Sequence, residues 1–210
     1  WFIPARNAKA TVIYCHGLNV NLSSEFDRIN FFHKLGLNLF IFDYRGYGKS
    51  QGFPYEKGIY ADARAAYDYV VKTKNIDQNK IIVIGESLGG AIALDLCLHR
   101  KAKALILEST FVSLTEQAKV LYPFLPVSYI LLEKYNALGK INQISIPVLI
   151  MHGKDDELVP IDFAHKLYDA ANEPKKFLPF EGGHSDGVFK VSLEYKEQLK
   201  EFLQENHIIE

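Results

Sequence analysis

The sequence predicts an α/β fold in which a doubly wound, mostly parallel sheet is covered by helices on both faces. Short runs of β-branched and other apolar residues alternate with longer segments of helical periodicity along the whole chain. This alternation is typical of parallel strands joined by right-handed helical crossovers. Several of the strand-like runs are continuously apolar, which indicates strands that are buried on both faces.

The predicted elements follow one another without a repeat or a low-complexity linker, which favours one domain over residues 1–210. We expect strands at about 10–15, 37–43, 80–85, 102–107, 146–152 and 175–181. We expect helices at about 22–35, 56–73, 88–100, 161–172 and 188–206. In the helix at 88–100, apolar residues recur every three to four positions, which places them on one face.

The charge balance excludes some partners. The 210 residues carry 24 Lys and Arg against 25 Asp and Glu, which gives a formal net charge of −1. We therefore expect no nucleic-acid partner, because the charges are nearly balanced and the sequence has no long run of basic residues. The longest strictly apolar runs are about four residues, far short of the ~20 that a membrane-spanning helix needs.

The start of the chain and its cysteines bear on where the protein is found. The chain begins with Trp1, and its only methionine is Met151, so we expect the natural N terminus to lie upstream. Two cysteines are too few for a disulfide framework, which favours a cytoplasmic protein. Membrane association is then expected only through an anchor in the upstream segment. The sequence leaves the oligomeric state open.

A glycine–x–serine–x–glycine pattern lies where a predicted strand meets a predicted helix. The strand at 80–85 continues into Gly85-Glu86-Ser87-Leu88-Gly89, and helical periodicity follows at once. A serine on such a strained turn exposes its hydroxyl, and the small flanking residues let the strand and the helix approach each other. The N–H of Leu88 then points from a helix N terminus towards a developing oxyanion. We therefore predict Ser87 as a nucleophile.

The same pattern occurs a second time, as Gly48-Lys49-Ser50-Gln51-Gly52. Ser50 lies several residues beyond its predicted strand, and a glycine and a proline follow it instead of a helix. We interpret Ser50 as a hydrogen-bonding loop residue. The segment 43–50 also ends like a phosphate-binding loop, but Asp43 replaces the first glycine and no helix follows to receive a phosphate. Nucleoside triphosphate hydrolysis is therefore disfavoured.

A nucleophilic serine needs a histidine as its base and a carboxylate to orient that histidine. In this architecture they follow later strands in the order serine, acid, histidine. Asp155 and Asp156 follow the strand at 146–152, and His184 follows the strand at 175–181 in a glycine-flanked loop. We predict His184 as the base, the alternative being a surface histidine. Only one of the two adjacent aspartates can face it.

Two further histidines, His16 and His152, each precede a glycine at the end of a predicted strand. A structural hydrogen bond is a simpler interpretation of such a position than catalysis. No two histidines have the spacing of a metal site, so the sequence predicts no metal and no cofactor.

Six stretches of the chain, in order and spread over nearly its whole length, match one known family. They are Trp1 to Pro4, Val12 to Gly17, Asp43 to Ser50, Gly85 to Gly90, Pro147 to Pro160, and Gly183-His184. Through them the chain resembles the α/β-hydrolase fold serine hydrolases, and specifically the Bem46-like branch that includes acyl-protein thioesterases and related lipases. The family's first strand is missing, and we expect it upstream.

The resemblance assigns further residues to the site. It implies that His16-Gly17 opens the oxyanion loop, so that the N–H of Leu18 is the second donor beside that of Leu88. It also implies Asp156 as the acid, because the segment 153–160 matches the family pattern Gly-x-x-Asp-x-x-Val-Pro.

The resemblance implies hydrolysis of a carboxylic ester or thioester through an acyl-serine intermediate, with a small-molecule or acyl-protein substrate. Hydrolysis of short peptides is an alternative, and so is a non-catalytic module that keeps the pocket for binding. A serine at position 87, instead of aspartate or cysteine, argues against dehalogenase, epoxide hydrolase and lactone-opening chemistry. The natural substrate and its acyl length stay open.

One segment, 111–140, departs from the strand–helix alternation. It has 17 hydrophobic residues of 30, and Pro123 and Pro126 exclude a single long helix. A long apolar connection of this kind is typical of a functional element, so we predict a small cap over the serine. The alternative is that its side chains seal the edge of the sheet. The candidate acyl-pocket residues are Phe111, Leu121, Tyr122, Phe124, Leu125, Tyr129, Ile130 and Leu131.

Overall fold

The computed structural model of the chain describes residues 1–18, 20–184, 186 and 193–209. Within them lies a seven-stranded sheet of order β1-β3-β2-β4-β5-β6-β7. Its strands are β1 Phe2–Ile3, β2 Thr11–Cys15, β3 Asn38–Ile41, β4 Ile81–Glu86, β5 Ala104–Glu108, β6 Val148–Gly153 and β7 Lys175–Phe180. β1 is antiparallel to β3, and the other neighbouring pairs are parallel. The predicted mostly parallel sheet is confirmed.

Helices cover both faces of the sheet. α1 and α8 pack on one face, and α2, α3 and α7 pack on the other. The predicted helix at 22–35 begins later than expected, because residues 22–24 form a 3₁₀ turn of their own. Residues 188–192 of the last predicted helix lie outside the described residues. The helices are α1 Phe26–Lys34, α2 Glu56–Lys72, α3 Leu88–His99, α4 Leu114–Leu121, α5 Val127–Ile130, α6 Leu138–Ile141, α7 Ile161–Ala170 and α8 Leu193–Glu205.

The helix that follows the predicted nucleophile is buried on all sides over residues 88–96. Its periodicity predicted one buried face, but α2 packs over its outer side and buries the other face as well. Its one acidic residue, Asp95, accepts hydrogen bonds from Arg64 (2.7 Å) and Lys140 (3.0 Å). These two cations allow the carboxylate to be buried, since an unpaired buried charge is costly.

The edge strand β1 was not predicted from the sequence. Phe2 and Ile3 pair with Phe40 and Leu39 of β3, and the carbonyl of Trp1 accepts the N–H of Ile41 at 3.0 Å. Two residues are too few to show the alternation by which a strand is recognised.

The predicted cap segment, 111–140, leaves β5 and returns to β6 through three short helices. Its ends are tied together, because Leu138 N–H donates to the carbonyl of Val112 (2.9 Å) and Leu114 N–H to that of Lys134 (2.8 Å). Its middle part, residues 120–132, carries no charged side chain, and most of its apolar side chains are exposed. Over the described residues, the helices include none that is long and apolar enough to cross a membrane.

Candidate active site

Ser87 occupies the junction between β4, which ends at Glu86, and α3, which begins at Leu88. Its backbone angles are φ 53° and ψ −116°, a conformation that side-chain-bearing residues rarely adopt. The surrounding backbone holds it there: Ser87 N–H donates to the carbonyl of Glu108 at 2.9 Å, and Gly90 N–H donates to the carbonyl of Ser87 at 3.1 Å. The strained turn predicted for this serine is therefore present.

The glycines around Ser87 are required by close backbone approaches. A Cβ on Gly85 would overlap the carbonyl of Gly89, and a Cβ on Gly89 would overlap the carbonyl of Cys15. The second of these contacts joins the start of α3 to the end of β2. Both glycines of the pattern thus serve the packing of the helix against the sheet, as the strand–turn–helix context predicted.

The loop after β2 lies directly against Ser87. A Cβ on Gly17 would be 3.7 Å from the Cβ of Ser87. The preceding residue is buried and braced, since its carbonyl accepts the hydroxyl of Tyr44 at 3.0 Å and His16 Nδ1 lies 2.8 Å from the carbonyl of Gly17. Leu18 is the next residue of this loop. The two predicted oxyanion donors, the N–H groups of Leu18 and Leu88, therefore belong to the two segments that flank the serine.

Asp156 is fully buried in the loop after β6 and accepts several hydrogen bonds. Its Oδ2 accepts from His184 Nδ1 at 2.8 Å, and its Oδ1 accepts the N–H groups of Leu158 (3.0 Å) and Val159 (2.8 Å). Burial alone raises the pKa of this carboxyl, but the hydrogen bonds from His152, His184 and Val159 outweigh it and hold the pKa well below its usual range. Asp156 is therefore ionised at neutral pH.

His184 is largely buried, with 12% of its side chain exposed. Burial lowers its pKa. The hydrogen bond and charge of Asp156, together with the charges of Glu86 and Glu108, raise it by more than burial lowers it, so that the pKa lies above the ordinary value of a histidine. Because Nδ1 donates to the carboxylate, Nε2 of the neutral ring is the nitrogen free to accept a proton. The other aspartate, Asp155, accepts instead from the N–H of Gly182 at 3.3 Å.

His152 has a contact that the sequence did not predict. Its Nε2 lies 2.8 Å from the carbonyl of Val159 and 3.3 Å from Oδ2 of Asp156, and its side chain is fully buried. Both partners are acceptors, so Nε2 must carry the hydrogen and donate it. The expected structural hydrogen bond is present, and the same N–H also faces the carboxylate. The sequence signal for this contact was the position of His152 at the end of a predicted strand, directly before the loop that carries Asp156.

The candidate acyl-pocket residues are mostly on the surface. Phe111 is buried in the core, whereas Phe124 and Tyr129 are 97% and 91% exposed. The others, partly or largely exposed, are Leu121, Tyr122, Leu125, Ile130 and Leu131. The predicted cap segment contacts the loop that carries Asp156, since Gln117 of α4 donates to the carbonyl of Leu158 at 2.7 Å. The acyl pocket itself stays a prediction.

Ser87, Asp156 and His184 follow β4, β6 and β7, so all three leave the sheet at the carboxyl edge of its parallel strands. This is the edge at which open α/β sheets bind their ligands. In the part of the chain that the structure describes, no group of three or more His, Cys, Asp and Glu side chains is placed to hold a metal ion. The chemistry available here is that of a serine hydroxyl, an imidazole and a carboxylate.

Comparison with known proteins assigns the chain to a family. Residues 6–138 match the family model described as serine aminopeptidase, S33. A protein of Mycobacterium tuberculosis, Rv2307c, is 35% identical over 212 residues, which cover 100% of this chain and 75% of that protein. The human α/β hydrolase domain-containing protein 17B is 35% identical over 204 residues, which cover 95% of this chain and 68% of that protein.

A solved structure shares the fold. The esterase Pf2001 of Pyrococcus furiosus superposes with a TM-score of 0.79 at 22% identity, over 98% of this chain and 91% of that chain. The sheet and helices described above are thus those of the α/β-hydrolase fold. Together with the matched residues 6–138, this shows that the chain belongs to the serine aminopeptidase S33 family of α/β-hydrolases, in its Bem46-like branch.

Proposed function

We propose that this protein hydrolyses carboxylic esters or thioesters of acyl groups, with Ser87 as nucleophile, His184 as base and Asp156 as the acid that orients the base. The observation that carries the proposal is the 2.8 Å hydrogen bond from His184 Nδ1 to Asp156 Oδ2, at the sheet edge where Ser87 has its strained conformation. The similarity to the Pyrococcus furiosus esterase Pf2001 supports this reaction class.

In the first half of the reaction, Ser87 Oγ attacks the carbonyl carbon of the substrate, and its proton moves to His184 Nε2. The ionised Asp156 stabilises the imidazolium that forms. The N–H groups of Leu18 and Leu88 donate to the oxyanion of the tetrahedral intermediate. His184 then gives its proton to the alcohol or thiol that leaves, the bond to the leaving group breaks, and an acyl-serine remains.

The second half repeats these steps with water. A water molecule attacks the acyl carbon and gives one proton to His184 Nε2. The bond between the acyl group and Ser87 breaks, and the serine oxygen recovers its proton from the imidazolium. A free carboxylic acid is released and the starting enzyme is regenerated, so no cofactor is needed to balance the reaction.

A fluorophosphonate probe, which reacts with activated serines, tests the assignment of the nucleophile. We expect stoichiometric labelling of the wild-type chain and none of Ser87→Ala, with the labelled peptide identified by mass spectrometry. A wild-type chain that is folded by circular dichroism and does not react would contradict the proposal. That result would favour the alternative of a non-catalytic module.

Hydrolysis of short peptides is the second candidate, favoured by the description of the matching family model as serine aminopeptidase. The two candidates differ in the leaving group, because an amine must be protonated before it leaves, whereas an alkoxide or thiolate leaves more easily. Matched substrates separate them: aminoacyl p-nitroanilides against p-nitrophenyl esters of the same acyl group. We expect the ester to be the better substrate, and a clear preference for the anilide with a free amine would reverse the order.

The predicted acyl pocket is tested by chain length. An apolar pocket gains up to ~0.8 kcal/mol for each methylene that it buries. We therefore expect kcat/KM for p-nitrophenyl esters to rise from two carbons towards medium length and then to fall. A preference for acetate over every longer ester would contradict the pocket while leaving the assignment of Ser87, His184 and Asp156 intact.

A further inference from the structure

A buried cluster of charges lies beside the strained turn at Ser87. Arg28 of α1 is 3% exposed, and three of its nitrogens contact three different carboxylates: Glu25 (3.0 Å), Glu86 (2.9 Å) and Glu108 (2.9 Å). The carboxylate of Glu86 also accepts the hydroxyl of Tyr14 at 2.5 Å. We call these five residues the Arg28 cluster.

Two members of the Arg28 cluster lie next to this turn in the sheet. Glu86 ends β4 and Glu108 ends β5, and the two residues are direct partners in the pairing of these strands. Ser87 follows Glu86 in the chain, and its N–H donates to the main-chain carbonyl of Glu108 at 2.9 Å. The main chain of both glutamates is thus directly connected to the proposed nucleophile, Glu86 through the peptide bond and Glu108 through a hydrogen bond.

The Arg28 cluster contains more acids than bases. Burial raises the pKa of the Glu25 carboxyl and, to well above its usual range, that of the Tyr14 hydroxyl, so the phenol is a neutral donor. Glu86 and Glu108 both form ion pairs with Arg28, so that two carboxylates at neighbouring strand ends share this guanidinium. His16, at the neighbouring end of β2, adds no positive charge at neutral pH, because burial lowers its pKa. A carboxylate charge in a poorly solvated site acts over a longer distance than the same charge in water.

Other acidic groups lie in the loop that carries His184 and in the loop that carries Asp156. Asp155 and Asp186 accept N–H groups of the glycines at 182–183, and a carboxylate oxygen of Glu157 lies close to the same backbone. Asp156 makes the direct hydrogen bond. These groups stay in place when a member of the Arg28 cluster is changed, so the contribution of the cluster is separable from theirs.

Resting on the proposed function, we propose that Glu86 and Glu108 are positioning residues of the site: held side by side by Arg28 next to the serine, their buried charges stabilise the His184 imidazolium that forms when Ser87 gives up its proton. Burying two carboxylates at adjacent strand ends is costly, and apolar side chains would pack there at lower cost. An effect of the two carboxylates on His184 would explain why charged residues occupy these two positions. The charges of both residues are among those that raise the His184 pKa.

Isosteric variants test the proposal. Glu86→Gln and Glu108→Gln each remove one charge while the amide oxygen still accepts from Arg28, which also keeps two carboxylate partners. We expect the His184 pKa, measured by NMR titration of the imidazole, to fall by about half a pH unit in each. The acid limb of kcat/KM should move by the same amount. An unchanged His184 pKa in folded variants would overturn the proposal.

Glu25→Gln is the matched control, because Glu25 bonds the same guanidinium but lies directly before α1, away from the strand ends that flank Ser87. We expect it to change the melting temperature as much as the other two and to leave the His184 pKa in place. Equal pKa shifts in all three variants would show a general loosening and overturn the proposal. Tyr14→Phe, which keeps every charge, covers the case in which the glutamine variants do not fold: a lowered His184 pKa there would contradict the proposal.

The titration needs no turnover, so it separates this proposal from the proposed function. Failed labelling of Ser87 with a pKa that falls in Glu86→Gln would refute the hydrolase mechanism alone. Normal labelling and turnover with an unmoved His184 pKa would refute the role of the Arg28 cluster alone.

Discussion

Two segments of the chain, 85–89 and 48–52, share the spacing glycine–x–serine–x–glycine and differ in everything else. In the first, a strand ends and a helix begins on either side of Ser87, whose φ is 53°. A Cβ on Gly85 or Gly89 would overlap main-chain atoms that do not move independently of the sheet. These glycines are needed for space.

In the second segment, Ser50 lies in a loop, and its hydroxyl donates to the main-chain carbonyl of Asp43 at 2.9 Å. Gly48 and Gly52 have φ values of 53° and 94°, so these glycines are needed for their backbone conformation. The carboxylate of Asp43 in turn lies 3.5 Å from His16 Nε2 and accepts the N–H of Leu22 at 3.0 Å. The second segment therefore braces the loop beside Ser87. The same spacing marks a nucleophile in one place and a support in the other, and the adjoining strand and helix decide which.

The largest expected effect comes from replacing each of the two serines with alanine. We expect Ser87→Ala to lower kcat by about 10⁴-fold or more, because the nucleophile is lost. Ser50→Ala, the matched control, should retain most of the activity, since it removes one loop hydrogen bond worth about 1 kcal/mol. Steady-state kinetics on a p-nitrophenyl ester measures both. An active Ser87→Ala together with an inactive Ser50→Ala would reverse the assignment.

The adjacent aspartates allow a similar pair of substitutions, in which each is replaced with asparagine. Asp156→Asn keeps the shape of the side chain but presents an amide to His184, which disfavours the tautomer that the base needs, so kcat should fall by about 10⁴-fold. Asp155→Asn should lower kcat far less, because Asp155 bonds the N–H of Gly182 and not the imidazole. Equal and mild losses in the two variants would mean that the acid lies elsewhere.

The two kinds of glycine predict different losses of stability. In Gly89→Ala the new Cβ would overlap the carbonyl of Cys15, so we expect the free energy of unfolding to fall by about 3 kcal/mol, together with activity. In Gly52→Ala the nearest atom to the Cβ is 3.6 Å away, and only the positive φ is unfavourable, at a cost of about 1–2 kcal/mol. Urea denaturation followed by circular dichroism compares them. A Gly89→Ala variant as stable as Gly52→Ala would show that the helix can shift, and would contradict the packing argument for the glycines around Ser87.

Local patterns were sufficient to predict six of the seven strands of the described sheet and the helices that cover its faces. The parallel strands read as short apolar runs because helices cover both faces, and the residues of β2, β5 and β6 are all buried. The order of Ser87, Asp156 and His184 along the chain follows from the order of the strands, which is why motif spacing located the candidate site. The contact of Asp156 with His184 is present, while the roles of these residues remain predictions.

Non-local contacts were not readable from the sequence. Glu25 and Arg28 are three residues apart on one turn, which is typical of a surface ion pair, yet both are buried because Arg28 reaches Glu86 and Glu108 on two strands. The apolar content of 120–132 predicted burial, but most of these side chains are exposed. Composition gives the tendency of a segment to be buried, and only the packing of the whole chain decides what is available to cover it.

The pH dependence gives the smallest effect and still distinguishes the two serines. If Ser87 is the nucleophile, its base is His184, whose pKa is raised above the usual 6.5 despite burial by the bond and charge of Asp156. If Ser50 were the nucleophile, the nearby histidine would be His16, whose pKa is lowered by burial. Only the neutral ring accepts a proton, so kcat/KM should fall on the acid side with a midpoint above pH 6.5 in the first case and below it in the second.

Stability should run the other way across the same range. Because the folded-state pKa of His184 lies above its unfolded value, its contribution to stability is fully present below about pH 6.5 and is lost as the pH rises through the folded-state pKa. Activity therefore increases while this contribution to stability decreases. Asp156→Asn should remove most of the stability change and move the activity limb to lower pH. A kcat/KM profile that stays flat down to pH 4 would contradict histidine as the base at either serine.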